Sequence, residues 1–196
     1  VANSQVTTYM ICSGSDFFYY RSKYGELMGD DKEGHLDCGK DTALYNVLRR
    51  INQNALLMEK EGTDIVEATL KRAKEKSLEA FITYRMNDLH FADTSAGCPL
   101  QYGEFWKENP QYWTNDTTLS SWNARNALDF AHPEVREYKL NIIKEQFEKY
   151  GALIDGYELD FMRFIVYFKK DQAEKNASLI TEMVQAAKNI ADSVGK

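Results

Sequence analysis

The sequence is poor in the residues that mark disulfide-rich, zinc-binding or multi-domain proteins. It contains three cysteines and three prolines among 196 residues. Because Cys12, Cys38 and Cys98 are far apart and form no CxxC pair, we expect neither a disulfide framework nor a zinc site, and at most one disulfide. There is also no internal repeat and no low-complexity linker, so we interpret residues 1–196 as a single domain.

A positive net charge and a long apolar segment are missing as well. The chain has 24 Lys and Arg against 30 Asp and Glu, which gives a formal net charge of -6. Phosphate backbones are bound by concentrated Lys and Arg, so nucleic acid is not an expected partner and a neutral substrate fits better. No apolar run approaches the roughly 18 residues of a membrane span, so we expect no membrane partner either.

What the chain does contain is a large apolar fraction and an alternation of strand and helix patterns. Hydrophobic residues make up 43% and aromatic residues 13% of the sequence, enough for a substantial core. Short β-branched and aromatic runs predict strands, and apolar residues at helical spacing predict helices, the second of them capped by Asp64. The predicted order is strand 6–12, helices 43–58 and 64–77, strand 80–84, a helix from Pro133 to Gly151, strand 153–161 and a helix that starts at Ala177.

This order of elements indicates the fold class. Strands that alternate with helices imply parallel strands joined by right-handed crossovers, in a doubly wound sheet or a barrel. The phosphate-binding patterns GxGxxG and GxxxxGK[ST] are absent, which disfavours a nucleotide-binding sheet. Three strands are too few for a closed eight-stranded barrel of about 250 residues. We therefore predict an α/β fold of the TIM-type (β/α)-barrel class, partial, with about three or four βα units and a long aromatic-rich loop over residues 91–130.

The third predicted strand carries the strongest chemical signal. Side chains alternate along a strand, so Glu158 and Asp160 share one face while the apolar residues between them share the other. In a barrel the apolar face turns to the helices, which directs both carboxylates inward with Cα atoms roughly 6.5 to 7 Å apart. Two partly desolvated carboxylates repel each other, which favours one protonated acid beside one ionised base. The purely structural alternative is an ion pair of Glu158 with Arg85 or Arg163.

The end of the second predicted strand and the long loop supply further candidate ligand contacts. Arg85 and Asn87 are predicted to point inward, and Asp88 and His90 follow in the same polar cluster. Asn87 and Asp88 are also ordinary turn formers, and His90 can equally well pack the loop. Aromatic rings form platforms for sugar rings, so we expect one or two of the loop tryptophans to contact ligand. These are Trp106, Trp113 and Trp122.

The segment 155–160, Asp-Gly-Tyr-Glu-Leu-Asp, resembles the fourth strand of barrel glycosidases, in which an Asp-Gly turn precedes alternating carboxylates. The alpha-amylase pattern Asp-Gly-Phe-Arg-Leu-Asp places its nucleophilic Asp on Asp160 and its Arg on Glu158. The chitinase pattern DxxDxDxE places its two later Asp residues on Glu158 and Asp160 and its acid Glu on Met162. Both resemblances imply a functional carboxylate at Asp160.

A broader resemblance covers residues 63–196 and links the chain to a group of uncharacterised bacterial glycoside hydrolase-like barrels. It is carried, in order, by Arg-Met-Asn-Asp at 85–88, by residues 128–136 and by Glu-Leu-Asp-Phe-Met-Arg at 158–163. The resemblance implies that the three strands are barrel strands two to four, with the other strands outside this chain. It also implies an extracytoplasmic setting in polysaccharide degradation.

From the residues and the resemblance we expect hydrolysis of glycosidic bonds in an oligo- or polysaccharide by Asp160 and Glu158. Arg85 and Arg163 are the expected positioning groups, carbohydrate is the expected partner, and no cofactor is expected. The second hypothesis is a non-catalytic carbohydrate-binding barrel, which Met162 in the place of a chitinase acid favours.

A metal-dependent hydrolase ranks lower, because His35, His90 and His132 form no HxH or HExxH pattern. The start at Val1 instead of Met suggests a processed or cropped chain. An incomplete barrel has unpaired strand edges, so we also expect the chain to be a piece of a longer polypeptide or to self-associate through an open edge.

Overall fold

The computed structural model describes residues 4–30, 42–89, 103–119 and 122–195. Helices separate its three longer strands along the chain. The strands are β1 (Thr8–Gly14), β2 (Phe17–Phe18), β3 (Glu26–Leu27), β4 (Glu79–Arg85) and β5 (Gly156–Asp160). The helices are α1 (Thr42–Lys60), α2 (Ile65–Glu75), α3 (Glu104–Glu108), α4 (Trp122–Arg125), α5 (Pro133–Tyr150) and α6 (Ala177–Ser193), with short 3-10 helices at Pro110–Tyr112 and Lys170–Gln172. The predicted α/β class is confirmed.

The strands form one open mixed sheet in the order β3-β2-β1-β4-β5. The three longer strands, β1, β4 and β5, are parallel, as predicted. β2 is antiparallel to β1 and parallel to β3, and each of these two strands has only two residues. Segments this short show no readable alternation of polarity, which is why the sequence did not reveal them.

The ends of two predicted strands are displaced from those observed. The first was predicted at residues 6–12 and lies at Thr8–Gly14, and the third was predicted at residues 153–161 and lies at Gly156–Asp160. Asp155, just before β5, pairs through its carboxylate with Lys74 of α2 and accepts the backbone N–H of Ala80 at 2.8 Å. This carboxylate therefore ties the start of β5 to α2 and β4.

The predicted helix ends are confirmed at α2 and α5. Asp64 is the N-cap of α2, and its Oδ1 accepts the backbone N–H of Glu67 at 2.8 Å. Pro133 occupies the first turn of α5, where the backbone N–H that proline lacks has no helical partner in any case. Gly151 ends α5 with its N–H bonded to the carbonyl of Phe147 at 2.8 Å.

The sheet has one face covered by helices and one face that is partly open, here called the open face. Along β4, Ala80, Ile82 and Tyr84 are fully buried, whereas the residues between them are only partly buried. On β5, the ring of Tyr157 stacks on Phe147 of α5 with centroids 5.0 Å apart, so this side chain lies on the covered face. Residues of α2 and α6 belong to the same core as these strand residues.

A buried polar network lies between the covered face and α5. Lys139 is fully buried, and its Nζ lies 2.8 Å from Oδ1 of Asp16, in the segment after β1. The Gln146 side-chain oxygen accepts the hydroxyls of Ser13 at 3.1 Å and of Tyr157 at 2.7 Å. Because charges and amides buried this deeply need partners, the network holds the segment after β1 against α5.

In the described ranges of the chain, every helix is too short or too polar to cross a membrane.

Candidate functional site

The register of the parallel strands arranges the side chains of the open face in rows. Cα partners in adjacent parallel strands present their side chains on the same side of the sheet. From the amino ends of the strands to their carboxyl ends the rows are Met10–Phe81–Gly156, Cys12–Thr83–Glu158 and Arg85–Asp160. The first row is apolar and the next two carry the titratable groups. The sequence-predicted carboxylates therefore share a face with Arg85, at the carboxyl ends of the strands.

The first row, Met10–Phe81–Gly156, forms an apolar layer at the base of the site. A Cβ atom on Gly156 would lie 2.1 Å from the Phe81 ring, so the ring of Phe81 occupies the space above this glycine. Met10 is 43% exposed beside it. The lower part of the open face is thus an apolar layer made by side chains from neighbouring strands, on which the polar rows lie.

Asp160 is held by the turn that follows β5. Its Oδ1 accepts the backbone N–H groups of Met162 at 2.9 Å and of Arg163 at 3.0 Å. Oδ2 accepts no hydrogen bond from the described residues. One oxygen thereby orients the carboxylate while the other is available to a ligand. Glu158 is exposed two residues earlier on the same face.

Arg85 finds its carboxylate partner in its own turn. Its Nη1 donates to Asp88 Oδ2 at 2.8 Å, with the side chains 35% and 15% exposed. The ion pair that the sequence suggested between Arg85 and Glu158 is replaced by this contact. In the described part of the chain Nη1 is the only nitrogen of this guanidinium with a hydrogen bond. The Cα partner of Arg85 on β5 is Asp160.

Two titratable residues near Arg85 were missed by sequence analysis. The Cys12 thiol and the Tyr19 phenol both lie near enough to Arg85 to influence the pKa of its guanidinium. Burial is the largest cause of a raised pKa at Tyr19, followed by the Cys12 and Asp88 charges. Cys12 is a free cysteine, and it is the Cα partner of Thr83. The sequence held no signal for Tyr19, because residues 17–20 are all aromatic and show no alternation of polarity.

Asn87 lies next to the candidate site, but its side chain is engaged with the protein. It is 2% exposed, and its amide donates to the carbonyl oxygens of Leu128 at 3.2 Å and Val166 at 2.6 Å. It thereby joins the segments that follow β4 and β5 to the segment before α5. This placement favours a positioning role, and the predicted ligand contact of Asn87 stays a prediction.

The tryptophans of the predicted loop contact each other. The rings of Trp106 and Trp113 stack with centroids 4.3 Å apart, and Trp106 is 4% exposed. Their indole N–H groups donate to the carbonyl oxygens of Asn126 at 2.7 Å and Trp106 at 3.1 Å, respectively. This segment also contains α3, α4 and a 3-10 helix, so the prediction of one continuous loop over residues 91–130 was wrong in the ranges that are described. Trp106 therefore has little exposed surface, whereas Trp113 is half-buried and its predicted ligand contact stays a prediction.

The remaining predicted contacts have different outcomes. Arg163 donates its backbone N–H to Asp160, and its guanidinium lies 5.6 Å from the Phe164 ring centre. His90 and the side chain of Trp122 lie outside the described residues. His132 occupies the N-cap of α5, and its ring centroid lies 5.1 Å from that of Tyr112. Where the chain is described, no three His, Cys, Asp or Glu residues lie close enough together to hold a metal ion.

Two clefts lie at the outer edges of the parallel strands, on the covered face. One, of about 760 Å³, is lined by Tyr9 of β1 and by residues of α2 such as Ile65 and Ala73. The other, of about 230 Å³, is lined by Leu159 of β5 and Val184 of α6. Both are mainly apolar, and both are separated from Glu158 and Asp160 by the sheet.

No protein-family model matches this chain, and no curated protein matches its sequence.

Proposed function

We propose that this chain is part of a (β/α)-barrel that hydrolyses glycosidic bonds in an oligo- or polysaccharide, with Asp160 and Glu158 as the reacting carboxylates. The observation that carries the proposal is that both side chains lie on the open face of β5, at the carboxyl ends of the strands and beside Arg85. Active sites of barrel enzymes lie at that end of the strands, on the loops and strand ends that face inward.

The arrangement of layers supports a barrel over a doubly wound sheet. A doubly wound sheet has helices on both faces, whereas β1, β4 and β5 are parallel and, in the described part of the chain, pack with α2, α5 and α6 on one face. The open face carries side chains in rows, as the interior of a barrel does. The apolar clefts at the two outer edges are where further βα units of a barrel would pack.

The chemistry of glycoside hydrolysis requires two carboxyl groups with different tasks. One protonates the glycosidic oxygen, and the other acts as nucleophile on the sugar or as base on a water molecule. Asp160 is assigned the ionised role, because its Oδ1 is oriented by two backbone N–H groups while Oδ2 has no partner among the described residues. Glu158, on the same face, is assigned the proton-transfer role.

The test is hydrolysis of a panel of glycans by the purified chain and by Asp160→Asn. Asparagine retains Oδ1, so the bonds to the N–H groups of Met162 and Arg163 persist while the negative charge is lost. We expect kcat to fall by about a hundred- to ten-thousandfold with unchanged far-ultraviolet circular dichroism. Asp192→Asn, on the exposed surface of α6, is the matched control and should leave the rate unchanged. Full activity of Asp160→Asn would refute the assignment.

A non-catalytic carbohydrate-binding barrel is the second candidate function. Met162 stands where the chitinase pattern has its acid, and its side chain is 81% exposed. This candidate predicts glycan binding by the unsubstituted chain without release of reducing ends. In that case Asp160→Asn should change the dissociation constant little, since a binder needs no ionised nucleophile.

A further inference from the structure

Tyr19 directly follows β2 and differs in burial from the residues on either side of it. Phe18 and Tyr20 are fully buried, and Phe18 stacks on Tyr84 of the covered face with centroids 6.3 Å apart. Tyr19 lies between them in sequence and is only partly buried. The backbone N–H of Tyr19 bonds to the carbonyl oxygen of Ser13 at 3.3 Å, so Tyr19 lies beside the end of β1.

The charged neighbours of Tyr19 give the same placement independently. Its phenol is influenced by Cys12, Arg85 and Asp88, which come from β1 and from the end of β4. The influence is reciprocal, because Tyr19 also acts on the guanidinium of Arg85. Arg85 is the Cα partner of Asp160 in the neighbouring strand. Tyr19 therefore lies on the side of Arg85 opposite to β5, in one row of groups that ends at Asp160.

We propose that Tyr19 and Arg85 bind the hydroxyl groups of a neutral sugar next to Asp160, a proposal that rests on the proposed carbohydrate function. In the described part of the chain the Tyr19 hydroxyl takes part in no hydrogen bond, and it is not among the fully buried polar atoms without a partner, so it is accessible. Its raised pKa keeps the phenol protonated at neutral pH, where it donates a hydrogen bond.

The charges of the site favour a neutral sugar over an acidic one. Glu158 and Asp160 are two carboxylates on the face that also carries Arg85, and the Arg85 guanidinium is already paired with a third carboxylate, that of Asp88. A sugar with its own carboxylate meets net negative charge at short range, which is repulsive in a partly desolvated site. Adjacent hydroxyls of a neutral sugar instead accept hydrogen bonds from the N–H groups of Arg85 and from the Tyr19 phenol.

The first test is Tyr19→Phe, measured as kcat and KM on a neutral oligosaccharide, or as Kd if the chain binds without turnover. The ring and its packing remain, so the fold is retained and only the hydroxyl is lost. We expect KM or Kd to rise about three- to tenfold with kcat nearly unchanged, the signature of a lost contact made equally in ground state and transition state. Tyr24→Phe, at an exposed tyrosine 39% accessible, is the matched control.

The outcomes separate the two proposals. A raised KM or Kd for Tyr19→Phe, with Tyr24→Phe unchanged, supports the role of Tyr19 whether or not the chain is a hydrolase. Activity or binding identical to that of the unsubstituted chain overturns the role of Tyr19 and leaves the carbohydrate function standing. Tighter binding of a uronic-acid oligosaccharide than of its neutral counterpart overturns the choice of substrate class. A chain that neither binds nor cleaves any glycan overturns both proposals.

Discussion

A buried ion pair between Lys139 and Asp16 joins α5 to the segment after β1. Lys139 and Asp16 form a pair with side chains 0% and 4% exposed, and the Lys139 Nζ also lies 5.5 Å from the ring centre of Tyr84. A buried pair of this kind is weak evidence for stability, because desolvation offsets most of the attraction between the charges. Its consequence for the structure is that the segment after β1 has a specific partner on α5.

Removing one member of that pair is expected to be costly. Lys139→Met leaves the Asp16 carboxylate buried with the Tyr138 hydroxyl, 3.4 Å away, as its only side-chain partner among the described residues. We predict that the free energy of unfolding, measured by urea denaturation, falls by about 3–5 kcal/mol. The control is Lys144→Met, at an exposed lysine whose Nζ lies 3.9 Å from Glu148. It should lower the free energy of unfolding by about 1 kcal/mol or less. Equal losses in the two variants would show that the buried pair has no special role.

At the scale of elements, the long periodic segments were predictable and the short ones were not. The helices α2, α5 and α6 were located from apolar spacing and from their end residues, because period and caps are local properties of the chain. β2 and β3 exist because Phe17, Phe18 and Leu27 bury their side chains in the core, a property of tertiary packing.

The N-terminus of α2 provides a test of how one residue joins two elements. Asp64 Oδ1 caps the helix, and Oδ2 accepts the Tyr150 hydroxyl at 2.9 Å and pairs with Lys149 at 3.0 Å, both at the end of α5. Asp64→Ala removes the cap and leaves the largely buried Tyr150 hydroxyl without its hydrogen-bond acceptor. We therefore predict that the free energy of unfolding, measured by urea denaturation, falls by about 2–4 kcal/mol. Asp64→Asn keeps the cap, so its free energy of unfolding should fall by less than that of Asp64→Ala.

The matched control for that prediction is the N-cap of α6. Asn176 occupies this position without a side-chain capping bond. Asn176→Ala should therefore change the free energy of unfolding by less than about 0.5 kcal/mol. If Asp64→Ala lowered the free energy of unfolding by as little as Asn176→Ala, the contacts of Asp64 would be compensated in the unfolded chain or by water.

At the scale of the whole molecule, the core is rich in buried tyrosine, which makes the fold sensitive to alkali. Burial is the largest cause of a raised pKa at Tyr20, Tyr84, Tyr138, Tyr150 and Tyr157. In the unfolded chain these phenols ionise near their ordinary pKa of about 10. Because the folded state holds their protons more tightly, the associated stability is fully present below pH of about 10 and is lost as the pH rises further.

Exposed phenols such as those of Tyr9 and Tyr24 ionise without unfolding. We predict that the tyrosinate absorbance of the five buried tyrosines appears in a separate step, together with the loss of far-ultraviolet circular dichroism, since these phenols ionise only as the chain unfolds. Tyr84→Phe is an informative variant, because the buried Tyr84 hydroxyl has no hydrogen-bond partner in the ranges that the structure describes. Its removal should leave stability at neutral pH unchanged or slightly higher. Ionisation of all tyrosines at pH about 10 in a chain with intact circular dichroism would contradict the prediction.

The sequence by itself determined the long helices and the three parallel strands, and that Glu158 and Asp160 share one face of β5, because helical spacing, caps and strand alternation are local. It could not determine that Arg85 pairs with Asp88, that Asn87 joins Leu128 to Val166, or that Tyr19 lies near Cys12 and Arg85. Only the tertiary structure decided these contacts. Lys139 and Asp16 are 123 positions apart, and no periodicity relates residues at such separations, since they meet only when the sheet and α5 pack together.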